Sequence, residues 1–202
     1  MSTNRLESFS DGVLAVAITL LVLNITPPSP QAPGTLVHKL LAQWPAYAAY
    51  VTSFTTIGII WINHHAMIGR LREADHAILM LNLLLLLTVA VIPFATSLFA
   101  TYLKQGQGEN LAAGIYGGVF LAMAIAFTTL QHQILMRKAS LLKSALPLAD
   151  RRTILLRSVS GIIPYVVATA LAAVTPYATL VVTSALAAYY ALPIASGVTV
   201  TG

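Results

Sequence analysis

The chain has 202 residues, 57% of them hydrophobic and only 8% charged, with a mean hydropathy of +0.81, values outside the range of water-soluble domains. Its formal charges, 11 on Lys and Arg and 6 on Asp and Glu, cannot coat a soluble globule of this size, and the apolar content excludes disorder. With no cysteine there is no disulfide framework, thiolate metal site or thiol catalysis.

These figures predict an all-α, polytopic membrane protein. A helix needs about 20 apolar residues to cross the hydrocarbon layer, and six runs near that length make one domain over residues 1–202. The first covers about 5–25 and stops at Thr26-Pro27-Pro28-Ser29-Pro30, where adjacent prolines end a helix. No signal-peptide cleavage pattern follows it, so it is expected to be retained. The second, 41–69, includes Trp44-Pro45, an interfacial anchor beside a proline suited to a first turn. The third, 75–103, holds five consecutive leucines and Pro93, which should bend it. The fourth is 111–136, the fifth 154–174 with Pro164, and the sixth 177–194, separated from the fifth by Thr175-Pro176. No internal repeat or low-complexity segment interrupts them.

Six spans put the amino terminus and the second-to-third and fourth-to-fifth loops on one side. That side holds Arg5, Arg70, Arg72, Arg137, Lys138, Lys143, Arg151, Arg152 and Arg157; the other holds Lys39 and Lys104. Lys and Arg accumulate in cytoplasmic loops, so both termini are expected to be cytoplasmic in a multi-pass protein of the cell membrane. The net charge of +5 is thus a topology signal and calls for no nucleic-acid partner. The basic stretch from Arg137 to Arg157 reads first as a loop that fixes orientation, and otherwise meets anionic lipid headgroups.

The first span is the unusual one. From Gly12 to Ile25 it has 14 residues after the polar start Arg5-Leu6-Glu7-Ser8-Phe9-Ser10-Asp11, and 14 residues reach only about 21 Å. The helix must therefore extend back through Asp11, which brings a carboxylate to the membrane boundary, where it needs partners. Candidates at the same level are Asn63, His64 and His65 in the second span and Asp75, His76 and Asn82 in the third. For His64, His65 and Asn82 a clamp between helices is favoured over a direct role in transport. Adjacent histidines diverge by about 100° on a helix, so the pair is not expected to chelate zinc, and no metal site is assigned. Gly12, Val16, Thr19, Leu20 and Leu23 share one stripe; Thr19 either faces a lumen or bonds back to its own backbone.

The motif R-x-x-x-F-S-D at Arg5, Phe9, Ser10 and Asp11, with the apolar run behind it, resembles the first helix of the endolysosomal and prokaryotic potassium-channel family that lacks a selectivity-filter loop. The segment Trp61-x-x-His64-His65 is similar to that family's second helix. The resemblance implies a homotetramer around a central pore lined by the first helix, with Val16, Leu20 and Leu23 at the constriction and Thr19 adding a hydroxyl. It assigns Arg5, Phe9, Ser10 and Asp11 to the network that sets the helix in place. Val16 departs from the family's bulkier residue, so the narrowest ring is expected to be wider here, or to lie at Leu20 or Leu23. No T-V-G-Y-G segment is present, so selection must come from pore width and dewetting, which favour potassium modestly over sodium.

The expected function is therefore passive potassium conduction. The chain is expected not to be an enzyme: it has neither a nucleophile-elbow Ser/His/Asp pattern nor H-E-x-x-H. No cofactor is expected beyond the permeant potassium ion, and the expected partners are further copies of the chain and membrane lipids. The alternative is a proton-coupled secondary transporter using Asp11 and the His64/His65 pair, although the repeats common in such proteins are not seen; a third reading is a non-conducting assembly subunit.

Overall fold

The computed structural model describes residues 3–31 and 33–191. Among them the chain forms α-helices α1 (Thr3–Leu20), α2 (Leu36–Ala42), α3 (Trp44–Gly69), α4 (His76–Tyr102), α5 (Glu109–His132), α6 (Leu148–Ser160), α7 (Ile162–Leu171) and α8 (Pro176–Ala191). A 3-10 turn, Leu21–Asn24, prolongs α1, and a π turn, Gln133–Arg137, prolongs α5. Five segments are long and apolar enough to cross a membrane: Thr3–Asn24, Trp44–Gly69, His76–Tyr102, Glu109–Arg137 and Leu148–Leu171. An all-helical answer is what lipid demands, because every backbone N–H and C=O must be satisfied within its own segment.

Local chemistry explains most of the boundaries. Asp75 caps α4, its Oδ1 accepting from the Ile78 N–H at 3.0 Å, and Thr35 caps α2 through the His38 N–H at 3.3 Å. Gly108 opens α5 in the left-handed region (φ 76°), which an L side chain rarely adopts.

Two segments differ from expectation by more than a residue or two. The second long helix starts at Trp44 rather than at 41, because Pro45 has no N–H to offer Leu41 and the preceding turn separates as α2. The fifth segment begins at Leu148, ends at Leu171 and divides at Gly161, one turn around Pro164, whose ring nitrogen cannot donate to Ser160. Sixteen residues of the sixth are seen in α8; its expected end, 192–194, lies outside the described residues.

α5 sits centrally against α4, α7 and α8, while α1 lies at the edge on α3 and α4. The centre is joined by stacked rings: Phe99 of α4 lies 4.7 Å from Tyr116 of α5, and Phe120 of α5 lies 5.9 Å from Tyr165 of α7. Buried hydroxyls supply interhelical bonds, with Ser53 on α3 meeting Thr96 on α4 at 2.8 Å and Tyr116 at 3.1 Å. In lipid such bonds and close packing hold helices together, since lipid is as apolar as the helices themselves.

The two loops richest in Lys and Arg meet at one end. Arg72 N–H donates to Leu141 C=O at 2.8 Å and Lys143 N–H to Arg70 C=O at 2.9 Å, forming an antiparallel bridge between Leu71 and Leu142. Lys138 Nζ adds an ion pair to Asp75 at 2.8 Å. The hydrogen bond from Lys138, followed by that from the Ile78 N–H, holds the Asp75 carboxyl below its ordinary value.

A candidate pore helix and its anchors

α1 has two faces of different character. Leu6, Ser10, Leu14, Ala17 and Leu21, spaced by three and four, are buried against α3 and α4. The opposite stripe, Gly12, Val16, Thr19, Leu20 and Leu23, is exposed along its whole length, with Val16 at 57% and Leu23 at 68%. Together with Ser8, Phe9 and Ala90 of α4, the middle of this stripe lines an open, almost wholly apolar groove of about 510 Å³. A large exposed apolar surface on one edge helix needs a neighbour, a lumen or lipid beside it.

The buried face is fastened through polar groups. Asn82 of α4, fully buried, donates from Nδ2 to Ser10 Oγ at 3.0 Å. Its Oδ1 lies 2.7 Å from His64 Nε2 of α3, and Ser10 Oγ donates to the Leu6 carbonyl at 2.8 Å. Since the Asn82 amide already donates to Ser10, its oxygen must accept, so His64 carries its proton on Nε2. The bonds then run in one direction from His64 through Asn82 and Ser10 to Leu6, tying α3, α4 and α1 together. His64 Nδ1 has no partner among the described residues.

A second fastening lies nearer the surface. Trp61 Nε1 of α3 donates to Asp11 Oδ1 at 3.0 Å, and His65 Nδ1 approaches Glu7 Oε1 at 2.7 Å. At the other end, Asn24 Nδ2 donates to the Pro93 carbonyl of α4 at 3.2 Å.

The structure thus brings Ser10, Asp11, His64, His65 and Asn82 into one contact region but sends the two histidines apart. His64 is buried, whereas His65 is exposed and turned to Glu7, as the 100° separation requires. Among the described residues, Arg5 and Phe9 are exposed and stand outside the bonded set. Thr19 bonds back to its own helix: Oγ donates to the Val16 carbonyl at 2.9 Å while the side chain stays exposed on the stripe. Sequence reasoning did not select Glu7 or Asn24, and placed Trp61 only in a motif. For Glu7 a signal existed, since it is four residues before Asp11 and therefore on its side of the helix.

The fold and site define an all-helical, multi-pass membrane protein whose first helix is clamped by its inner face and bare on its outer one. The family described as endosomal/lysosomal potassium channel TMEM175 matches residues 5–93, the stretch that contains nearly all of α1, all of α3 and every residue of the anchor network. Among solved structures, a lysosomal potassium-selective channel TMEM175 homolog from Chamaesiphon minutus is 37% identical and superposes over 97% of this chain and 98% of its own, with a TM-score of 0.85. A potassium channel of Streptomyces collinus is 49% identical over 128 residues, 63% of this chain and 62% of that protein, so the match spans less than two thirds of the relative. The mouse endosomal/lysosomal proton channel TMEM175 is 33% identical over 147 residues, 66% of this chain and 29% of its own length. The chain belongs to the TMEM175 family.

Proposed function

We propose that this chain is a passive potassium-permeable channel of the cell membrane, not an enzyme, in which four copies surround a pore lined by α1. The observation that carries this reading is the division of α1 into a bonded inner face and a bare stripe of Gly12, Val16, Thr19, Leu20 and Leu23. Repeated about an axis, the stripe gives apolar rings at Val16, Leu20 and Leu23, which restrict ions by width and dewetting. Between them the Thr19 oxygen, its hydrogen engaged by Val16, keeps lone pairs for a passing cation. The names of the bacterial relatives support potassium as the ion. Six spans with both termini cytoplasmic are in keeping with the basic loops that meet at one end of the bundle.

Potassium-loaded liposomes containing the purified protein should lose their gradient when a protonophore balances the charge. Leu23→Ala should raise the flux or weaken discrimination against sodium, while Val181→Ala, on an exposed position of α8, should leave both unchanged. Absence of flux in the wild type, or equal effects of the two substitutions, overturns the proposal.

The second reading is proton-coupled transport; the mouse relative is a proton channel, which speaks for proton passage there but not for coupling. The geometry supports it less, because His64 is buried against Asn82, apart from Asp11 and His65, which lie together with Glu7 nearer the surface. A flux that requires a pH gradient and disappears in Asp11→Asn with assembly intact would favour it.

A further inference from the structure

The amino-terminal end of the α1–α3 contact gathers three metal-binding side chains. Glu7 and Asp11 are one turn apart on α1 and so share a face, and His65 reaches them from α3. One ligand atom from each lies within 4.8 Å of the other two. His65 Nδ1 is already 2.7 Å from Glu7 Oε1. Trp61 occupies Asp11 Oδ1 from the side, which holds the carboxylate in place and leaves its other oxygen uncommitted. The indole also lies against the His65 ring, with centroids 6.4 Å apart. With the His65 side chain 60% exposed and Glu7 at 24%, an ion can enter from water.

We propose that Glu7, Asp11 and His65 bind a borderline divalent cation of the zinc class, through one imidazole nitrogen and two carboxylate oxygens. Ligands about 2.0–2.2 Å from zinc stand roughly 3–3.5 Å from each other, a spacing between the 2.7 Å contact and the 4.8 Å limit, so side-chain rotation alone closes the shell. The donor set selects the class. Calcium wants six to eight oxygens, and copper(I) wants sulfur, which this cysteine-free chain lacks. Three protein ligands leave a position for water, as in an exchangeable rather than a sealed site. Trp61 is the positioning residue, acting through Asp11 as outer-shell partners do. A bound ion would fasten α1 to α3 where Trp61 and Asp11 already join them.

The test is a cobalt(II) titration of the full-length protein in detergent, read by visible absorption, followed by displacement with zinc. The wild type should bind one cobalt per chain and give the intense bands of a four- or five-coordinate site, which zinc then abolishes. Glu7→Gln and His65→Gln should each remove the bands, and Trp61→Phe should weaken binding roughly 10- to 100-fold. His76→Gln and His132→Gln should retain them. Bands that survive both Glu7→Gln and His65→Gln, that depend on His76 or His132, or that never form in the wild type overturn the proposal. Should His65→Gln fail to assemble, Glu7→Gln alone decides, since it changes a side chain at the margin of the contact.

Discussion

Replacing Asn82 by Leu keeps the branched shape of a buried side chain, though a bulkier one, while deleting two interhelical hydrogen bonds, to Ser10 and to His64. Such bonds inside membrane proteins average about 0.6 kcal/mol and reach about 1.7. Two of them give roughly 1.2 to 3.4 kcal/mol, and the His64 N–H left buried without an acceptor moves the expectation toward the upper half. Unfolding of the detergent-solubilised protein by sodium dodecyl sulfate, followed by the fluorescence of Trp44 and Trp61, measures the loss. Ser10→Ala should remove one of the same bonds. The double variant should therefore be less destabilised than the two singles added, by about 0.6 kcal/mol or more. A loss below about 0.3 kcal/mol for Asn82→Leu, or additivity within that margin, would refute the idea that Asn82 couples α1, α3 and α4.

Other outcomes follow from separate parts of the molecule. Because the Asp75 carboxyl titrates below its ordinary 3.8, its ion pair with Lys138 contributes stability above that pH and loses it as the pH falls further; Lys138→Ala should flatten this acid limb in unfolding curves taken between about pH 5 and 2. At Gly117 an added Cβ would stand 2.9 Å from Thr169 Oγ1 and 3.1 Å from its Cα, so Gly117→Ala should cost about 1–3 kcal/mol by forcing α5 from α7. Gly114→Ala, with its nearest neighbour at 4.0 Å, should unfold like the wild type. Gly12→Ala meets nothing within 4 Å in one chain; a fall in flux without loss of thermal stability would place Gly12 at a lumen or between copies, and an unchanged flux would argue against both.

The long apolar helices were legible because lipid imposes a length and a composition that run through the whole chain. The interruptions were less so. Pro45 and Pro164 could be seen, but whether a proline bends a helix, starts one or splits it depends on which carbonyl is left free. Pro93 lies inside the unbroken span of α4, while the turns before Pro45 and around Pro164 separate. The clamp was half legible. Ser10, Asp11, His64 and Asn82 were polar exceptions in greasy runs and had to be paired. The pairing itself, Asn82 with Ser10 and Trp61 with Asp11, depends on helix rotation, which nearly uniform apolar surroundings do not encode. Glu7 escaped notice because a charge near the start of a helix is ordinary; only the approach of His65 from another helix makes it part of a group.

The fastenings of α1 lie at its ends: Glu7, Ser10 and Asp11 at one, Asn24 at the other. Between Gly12 and Leu23 its contacts are apolar, and Thr19 spends its hydrogen on the helix itself. A rod pinned at both tips and lubricated along its middle resists sliding lengthwise but yields to bowing or twisting at the centre. If copies surround a pore as proposed, any change in its bore would be greatest near Val16 and Leu20 and least at the tips, a gradient that spin-label distances between copies would register directly.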